Sequence, residues 1–410
     1  MDSPLVDFVS GNLQLNPSSK HIEDFVKGEI LYHGSIQITP FRHKEYIKKF
    51  NKNYLLSIDR SDMKKVGLID PDKDLKKKKF NIDNPGFVSQ GYLFNVGFGL
   101  SVHDISFNAI ANLSYKNLKY GSPVFEGDIL YAKSEVLGIE VKKDGASNGS
   151  VQVKTVITNQ RDEVVLEYVR QVLVRTRRGV TIDAQTTTEE QPSGININEI
   201  NIPLQYKDLN REFNFPRDTK VGGDTEVIPG KVVNFKTFEE FKEGGIYEGN
   251  FSKAINLVDF SWLQISTLND ASIHHTPSSN FIGYGGAVKS LVEGEVSHNI
   301  PYAYFLGMNS GSHDAPTYPI DIVQSSFNSD HDDDEKIIGS FEVKEKIQIK
   351  DRDDCGVLKI ELRGDKIVTK AGLRAYEKTG FKGITKIQGN LIRVLTMEML
   401  IAVPTKGAYK

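Results

Sequence analysis

The sequence has little cysteine and no long apolar run. Cys355 is the only cysteine among 410 residues, so we expect neither an internal disulfide nor a cysteine-based metal site. No stretch approaches the roughly 18 consecutive apolar residues of a membrane-spanning helix. The first residues, Met1-Asp2-Ser3-Pro4, lack the basic and apolar regions of a signal peptide. These absences predict a cytoplasmic protein.

An excess of one charge is also missing. Lys and Arg number 51 against 54 Asp and Glu, which gives a formal net charge of -3. Hydrophobic residues make up 39% of the chain and charged residues 26%, values typical of a globular protein and not of a disordered or nucleic-acid-coating one. Neither a nucleic acid nor a membrane is expected as a partner. No P-loop, Ser–His–Asp order or metal-ligand spacing stands out, so we expect no metal.

What is present suggests two similar halves. A chain of this length exceeds one ordinary domain, for which about 100–200 residues is usual. We divide it into a leader at 1–20, an N-terminal domain at 21–178, a linker at 179–210 and a C-terminal domain at 211–410. The linker is rich in Thr, Glu, Gln, Asn and Ser and has no apolar period, which is typical of connecting segments.

Each half combines a buried helix with strands. In the first half, the apolar stretch Gly91–Asn112 predicts a long buried helix. In the second half, helices are predicted at Asp259–Thr267 and Tyr284–His298. The following segments predict strands of an antiparallel sheet: Ile129–Leu137, Ser150–Asn159, Glu163–Arg175, Asp321–Phe327, Lys336–Ile349, Gly356–Arg363 and Leu391–Val403.

Two short matches support a duplication. Residues 111–114 match 308–311, and Pro123–Asp128 matches Pro316–Asp321, with offsets of 197 and 193 residues. A near-constant offset in the same order is the mark of an internal repeat. We expect the acidic run Asp330–Glu335, which interrupts the second copy, to be a solvated loop because neighbouring carboxylates repel one another.

Three motifs of the first half carry a family resemblance. The segments His103–Tyr115, Phe125–Tyr131 and Asp162–Arg170 resemble the MaoC-type double hot-dog dehydratases, and within them the mesaconyl-CoA hydratases, also called β-methylmalyl-CoA dehydratases. The second half shows a thinner likeness in the same order. The resemblance implies an α+β fold of two fused hot-dog domains, each a long helix wrapped by a curved antiparallel sheet, packed as a pseudo-dimer.

Hydration of an enoyl thioester needs a base to hold water, an acid to protonate carbon, and donors for the charge on the thioester oxygen. Asp270 is followed five residues later by His275, and the resemblance places the catalytic pair at these positions. Alternatively, both are capping or solvated groups of a polar turn. His274 would replace His275 as the partner if the loop were shifted.

We expect backbone N–H groups to meet the third requirement, donors for the charge on the thioester oxygen. Exposed N–H groups at a helix N-terminus suit a developing oxyanion, and the resemblance assigns this role to Gly285. Alternatively, the glycines of Gly283-Tyr284-Gly285-Gly286 only permit close packing. The resemblance also suggests substrate contacts for Tyr284, Gly286, Ser312 and His313, and Arg60 is a candidate for binding a substrate carboxylate.

The first copy lacks an acid–base pair. Lys52 and Ser57 occupy the positions that correspond to Asp270 and His275, so we expect the first domain to shape the pocket and the second to carry one active site. His103 stands where the family has proline and is interpreted as incidental.

The resemblance therefore implies a hydro-lyase that acts reversibly on an acyl-CoA substrate, with mesaconyl-CoA as the leading case. It needs no cofactor because CoA belongs to the substrate, and we expect a homodimer or higher homo-oligomer. The alternatives are an (R)-specific hydratase of straight-chain enoyl-CoA and a non-catalytic acyl-CoA-binding protein.

Overall fold

The computed structural model describes residues 19–50, 52, 54–58, 60–68, 82, 85–188, 194–209, 212–221, 224–274, 282–318, 336–368 and 391–409; the side chains of residues 58, 60–62, 212–221, 224–234, 250 and 251 lie outside that description. The helices are α1 (Pro40–Lys49), α2 (Leu55–Ile58), α3 (Arg60–Lys65), α4 (Gln90–Leu100), α5 (Val102–Ile105), α6 (Leu257–Thr267) and α7 (Gly285–Val296). The predicted strand Asp321–Phe327 and the acidic run fall outside the described residues.

The strands are β1 (Ile30–Gln37), β2 (Ala109–Tyr120), β3 (Ile129–Val141), β4 (Asn148–Asn159), β5 (Val164–Arg175), β6 (Gln185–Thr186), β7 (Glu212–Val221), β8 (Asp224–Asn234), β9 (Ile246–Lys253), β10 (Tyr304–Ser312), β11 (Ile337–Gln348), β12 (Cys355–Ile367) and β13 (Leu391–Pro404). One antiparallel sheet runs in the order β1-β3-β4-β5-β2-β10-β13-β12-β11-β9, with β6 beside β3, while β7 and β8 pair separately.

A buried helix lies against each half of this sheet. Helix α4 packs on β1, β3 and β5, and α7 packs on β9, β11 and β12. Every residue of α4 is buried, which agrees with a helix that is apolar on all sides. The halves join where β2 pairs with β10, with Gly307 opposite Lys119.

The two central helices also pack directly against each other. At Gly91, any side chain would overlap the Glu293 carboxylate of α7, and at Gly286 it would overlap the Asn95 amide of α4. The bond of 2.9 Å from Asn95 Nδ2 to Ser290 Oγ links the same faces. These glycines therefore allow the helices to cross closely.

The predicted helix Gly91–Asn112 is wrong in its second half. Helix α4 ends at Leu100, where the Ser101 hydroxyl bonds the Phe98 carbonyl oxygen at 2.8 Å. The short α5 follows, and from Ala109 the chain is β2. The apolar residues Ala109, Ile110 and Ala111 continue the apolar pattern of the helix into β2, so the pattern did not mark where helix gives way to strand.

Candidate active site

The Asp270 loop follows a well-capped helix. Helix α6 begins after Asn256, whose side chain accepts the Asp259 N–H at 2.7 Å. It ends at Thr267, and the C-cap residue Leu268 has a left-handed φ of 60° and donates its N–H to the Gln264 carbonyl oxygen. This cap turns the chain sharply, so Asn269 and Asp270 leave the helix towards the first half of the molecule.

Asp270 contacts a histidine from the first half. Its Oδ2 lies 2.7 Å from His103 Nδ1, and both side chains are about half exposed, at 40% and 52%. The other oxygen, Oδ1, is shielded from solvent and has no hydrogen-bond partner among the described residues. One carboxylate oxygen is thus held by an imidazole, and the other has acceptor capacity to spare.

A second contact docks the same loop. Ser272 donates both its N–H, at 3.1 Å, and its hydroxyl, at 2.8 Å, to the Phe107 carbonyl oxygen. The ring of Phe107 in turn lies edge-on to His103, with centroids 5.8 Å apart. The Asp270 loop therefore rests on residues 103–107 of the first half at two points.

His274 connects the loop to the segment before α7. Its Nδ1 lies 2.6 Å from the Ile282 carbonyl oxygen, and its carbonyl oxygen accepts the Gln264 side-chain amide at 3.2 Å. Its ring centroid is 5.7 Å from that of Tyr284. His274 thus brings the carboxylate loop close to the start of α7. His275 lies outside the described residues.

The N-terminus of α7 offers backbone donors. Tyr284 is its N-cap residue and makes no side-chain cap, and Gly285 and Gly286 are the first helical residues. The first N–H groups of a helix have no partners within it, and the helix dipole adds partial positive charge at this end. A thioester oxygen placed here would meet donors suited to its developing charge.

His313 covers Gly285. A side chain on Gly285 would lie 2.6 Å from His313 Nε2, so only glycine leaves room for this ring. The Tyr115 ring lies edge-on to it, with centroids 6.1 Å apart. Burial lowers the pKa of His313 to about 4, against the opposing charge of Asp314. The ring is therefore neutral at pH 7 and adds no charge beside the helix N-terminus.

We expect His313 to make the protein less stable in mild acid. The unfolded chain takes up a proton near pH 6.5, whereas the folded protein does so only near pH 4. Stability should therefore fall as the pH falls from about 6.5 to about 4, by about 3 kcal/mol from this residue. Urea unfolding of wild type and His313→Asn at pH 7 and pH 4.5 should show the wild-type advantage shrinking with acid. If wild type were more stable than His313→Asn by the same amount at both pH values, the lowered pKa of His313 would be contradicted.

The other residues predicted to contact substrate have different environments in the structure. Tyr284 donates its hydroxyl to Asn95 Oδ1 at 2.9 Å and is buried against α4. Gly286 faces the same amide, so both belong to the packing of the two helices. Ser312 donates its hydroxyl to Asp314 Oδ1 at 2.6 Å. Arg60 lies in α3, and its side chain is outside the described residues.

In the first half, Lys52 has a structural environment. It is buried, with Nζ 2.6 Å from Glu293 Oε2, and Lys289 contacts the other oxygen of that carboxylate. Burial lowers the pKa of Lys52 to about 8, against the opposing charge of Glu293. Ser57 instead lines a narrow cleft at the N-terminus of α4, together with Tyr54, Leu56, Phe87, Ser89, Gln90, Ala303 and Phe305.

Two negative findings apply to the described part of the chain. No group of three or more His, Cys, Asp or Glu residues in it could hold a metal ion. None of its helices is long and apolar enough to cross a membrane.

Two curated proteins are similar in sequence. A β-methylmalyl-CoA dehydratase of Chloroflexus aurantiacus is 28% identical over 280 residues, which cover 65% of this chain and 70% of that protein. A mesaconyl-CoA hydratase of Cereibacter sphaeroides is 31% identical over 243 residues, which cover 57% of this chain and 64% of that protein, slightly less than two thirds. Both names describe the chemistry of hydro-lyases, in agreement with the enzyme class predicted from the sequence. No family model matches the chain.

Two solved structures match nearly the whole chain. A MaoC domain protein dehydratase of Chloroflexus aurantiacus superposes with a TM-score of 0.73 at 22% identity, covering 97% of this chain and 100% of that one. Rv0216 of Mycobacterium tuberculosis, described as a double hot-dog fold, superposes with a TM-score of 0.62 at 15% identity, covering 94% and 98%. The two solved structures confirm the double hot-dog fold class predicted from the sequence, and the two sequence relatives confirm the predicted resemblance to mesaconyl-CoA hydratases and β-methylmalyl-CoA dehydratases.

Proposed function

We propose that this protein catalyses the reversible hydration of an enoyl-CoA thioester at the N-terminal end of α7. The observation that supports this proposal most directly is the docking of the Asp270 loop beside the first turn of that helix, through the hydrogen bond between His274 Nδ1 and the Ile282 carbonyl oxygen. This contact supports the proposal because the loop that holds the carboxylate with a spare oxygen also reaches the segment before the helix end with spare N–H groups. The names of the two sequence relatives support the same chemistry.

In the proposed mechanism, Asp270 and His275 hold a water molecule and take its proton. The water oxygen bonds to the β carbon of the alkene, and a proton is delivered to the α carbon. The electrons of the double bond pass through an enolate, whose thioester oxygen accepts the Gly285 N–H. The neutral ring of His313 covers Gly285 and limits access of water to that oxygen.

The substrate we propose is mesaconyl-CoA, with β-methylmalyl-CoA as the product. Both sequence relatives are named for these two compounds. The two halves differ at the position of the proposed base. Lys52, which corresponds to Asp270 in the first half, is enclosed in an ion-paired cluster, and this supports one site per chain. No cofactor is needed, and we propose that the chain forms homo-oligomers.

The test is a hydration assay on the purified full-length chain with mesaconyl-CoA and with crotonyl-CoA. The reaction is monitored as the loss of the enoyl-thioester absorbance. We expect turnover of both, with at least a tenfold higher kcat/KM for mesaconyl-CoA. A preference for crotonyl-CoA would favour the straight-chain hydratase instead. Binding of CoA without turnover of either compound would favour the non-catalytic protein and contradict the proposal. Butyryl-CoA, which has no alkene, serves as the control for binding alone.

A further inference from the structure

Helix α5 of the first half contacts the proposed catalytic loop of the second. His103 lies in α5 and holds Asp270 at 2.7 Å, and the Phe107 carbonyl oxygen just beyond α5 accepts both donors of Ser272. The loop residues between these anchors cannot shift far without breaking one of them. The placement of the carboxylate therefore depends on the placement of α5.

A second chain of hydrogen bonds fixes α5 to the sheet of the first half. Asp104, the neighbour of His103, has Oδ2 2.6 Å from His33 Nδ1. His33 Nε2 lies 2.8 Å from Ser134 Oγ, and Ser134 Oγ lies 2.8 Å from Thr155 Oγ1. His33, Ser134 and Thr155 are all at most 1% exposed. This chain ties α5 to strands β1, β3 and β4.

Arg170 secures both ends of the same helix. Its Nη2 donates to Ser101 Oγ at 2.9 Å, and its Nη1 donates to Ser106 Oγ at 3.4 Å. The guanidinium is buried and lies 4.5 Å from the centroid of the Phe98 ring. Because a guanidinium presents several donors in one rigid plane, it holds the residues before and after α5 at a set separation.

We propose that His103 is a positioning residue for Asp270 and that α5 transmits the rigidity of the first half to the proposed catalytic loop. The inference rests on the proposed function of Asp270. With Oδ2 held by His103, the carboxylate keeps one orientation, and Oδ1 keeps its acceptor capacity because it has no hydrogen-bond partner among the described residues. Fixing a reacting group in its productive orientation lowers the barrier without any contact to substrate. This gives the first domain a part in catalysis.

Two substitutions test the hydrogen bond itself. His103→Ala removes the donor, and we expect kcat to fall about 10- to 100-fold, the range known for hydrogen-bond partners that orient metal ligands, with KM changed less than about threefold because no substrate contact is lost. His103→Asn places an amide N–H where Nδ1 stood, and it should recover most of the lost kcat although it cannot act as a base. His21→Ala, in a histidine 4.0 Å from Asp24, is the matched control and should leave kcat unchanged. Equal losses in His103→Ala and His103→Asn would overturn the proposal.

A double-mutant cycle separates this proposal from the proposed function. In an Asp270→Asn background, His103→Ala should cause little further loss of kcat, because the group it positions is already gone. A full additional loss would show that His103 acts elsewhere and would overturn the positioning role alone. If Asp270→Asn by itself left turnover unchanged, the proposed function of Asp270 would fail, and the inference would fail with it.

Discussion

Replacing Asp270 by asparagine should lower kcat/KM for enoyl-CoA hydration by about 10²- to 10⁴-fold, the usual effect of removing a general base. Asparagine has the same shape but cannot take up the proton of water. The fold should survive because the side chain is about 40% exposed and such surface substitutions change stability by only about 0.5 kcal/mol. Steady-state rates and thermal melts of the two proteins check both parts.

The matched control for this loss is Asp24→Asn. Asp24 is also a partly exposed, ion-paired carboxylate, 2.6 Å from Arg177, and it lies near the start of the N-terminal domain. This variant should retain wild-type turnover. If Asp270→Asn retained it as well, Asp270 would not be the base.

Replacing Glu293 by glutamine should cause the largest loss of stability. Its carboxylate is the shared partner of Lys52 and Lys289, and all three side chains are at most 2% exposed. The neutral amide would leave two buried ammonium groups without a counter-charge. Removing one member of a buried ion pair costs about 3–5 kcal/mol, and the free energy of unfolding in urea should fall by about that amount.

Lys52→Met is the contrasting substitution in the same cluster. It removes one ammonium group and leaves Lys289 paired with Glu293, so no buried charge is left without a partner. The large cost of breaking a buried ion pair comes from the charge that is left without a partner; because Glu293 keeps Lys289 here, we expect a change within about 1 kcal/mol. Similar losses in both variants would contradict this account of the cluster.

The sequence carried enough information for the main elements of the fold. The strand predicted at Ser150–Asn159 and the helix predicted at Tyr284–His298 correspond closely to β4 and α7. Strands β6, β7, β8 and β10 were missed, and so were β1 and β9. Strands β1 and β9 lie at the edges of the sheet, where only one neighbour pairs and the apolar alternation is weak.

The site was harder to predict because its contacts join distant positions. His103 and Asp270 are 167 residues apart, and no local pattern connects them, so His103 was set aside although it is the described partner of Asp270. Lys52 and Glu293 are 241 residues apart, and their pairing depends on how closely α4 and α7 cross. The catalytic roles of Asp270, His275 and Gly285 remain predictions.

The most direct test of the proposed site is a crystal structure of the protein with bound 3-hydroxybutyryl-CoA, a hydrated thioester. We predict that the thioester oxygen lies about 3 Å from the Gly285 nitrogen, as for other oxyanion donors, with the hydroxyl group within hydrogen-bonding distance of Asp270. A thioester bound instead in the cleft at the N-terminus of α4, beside Ser57 and Gln90, would contradict the account.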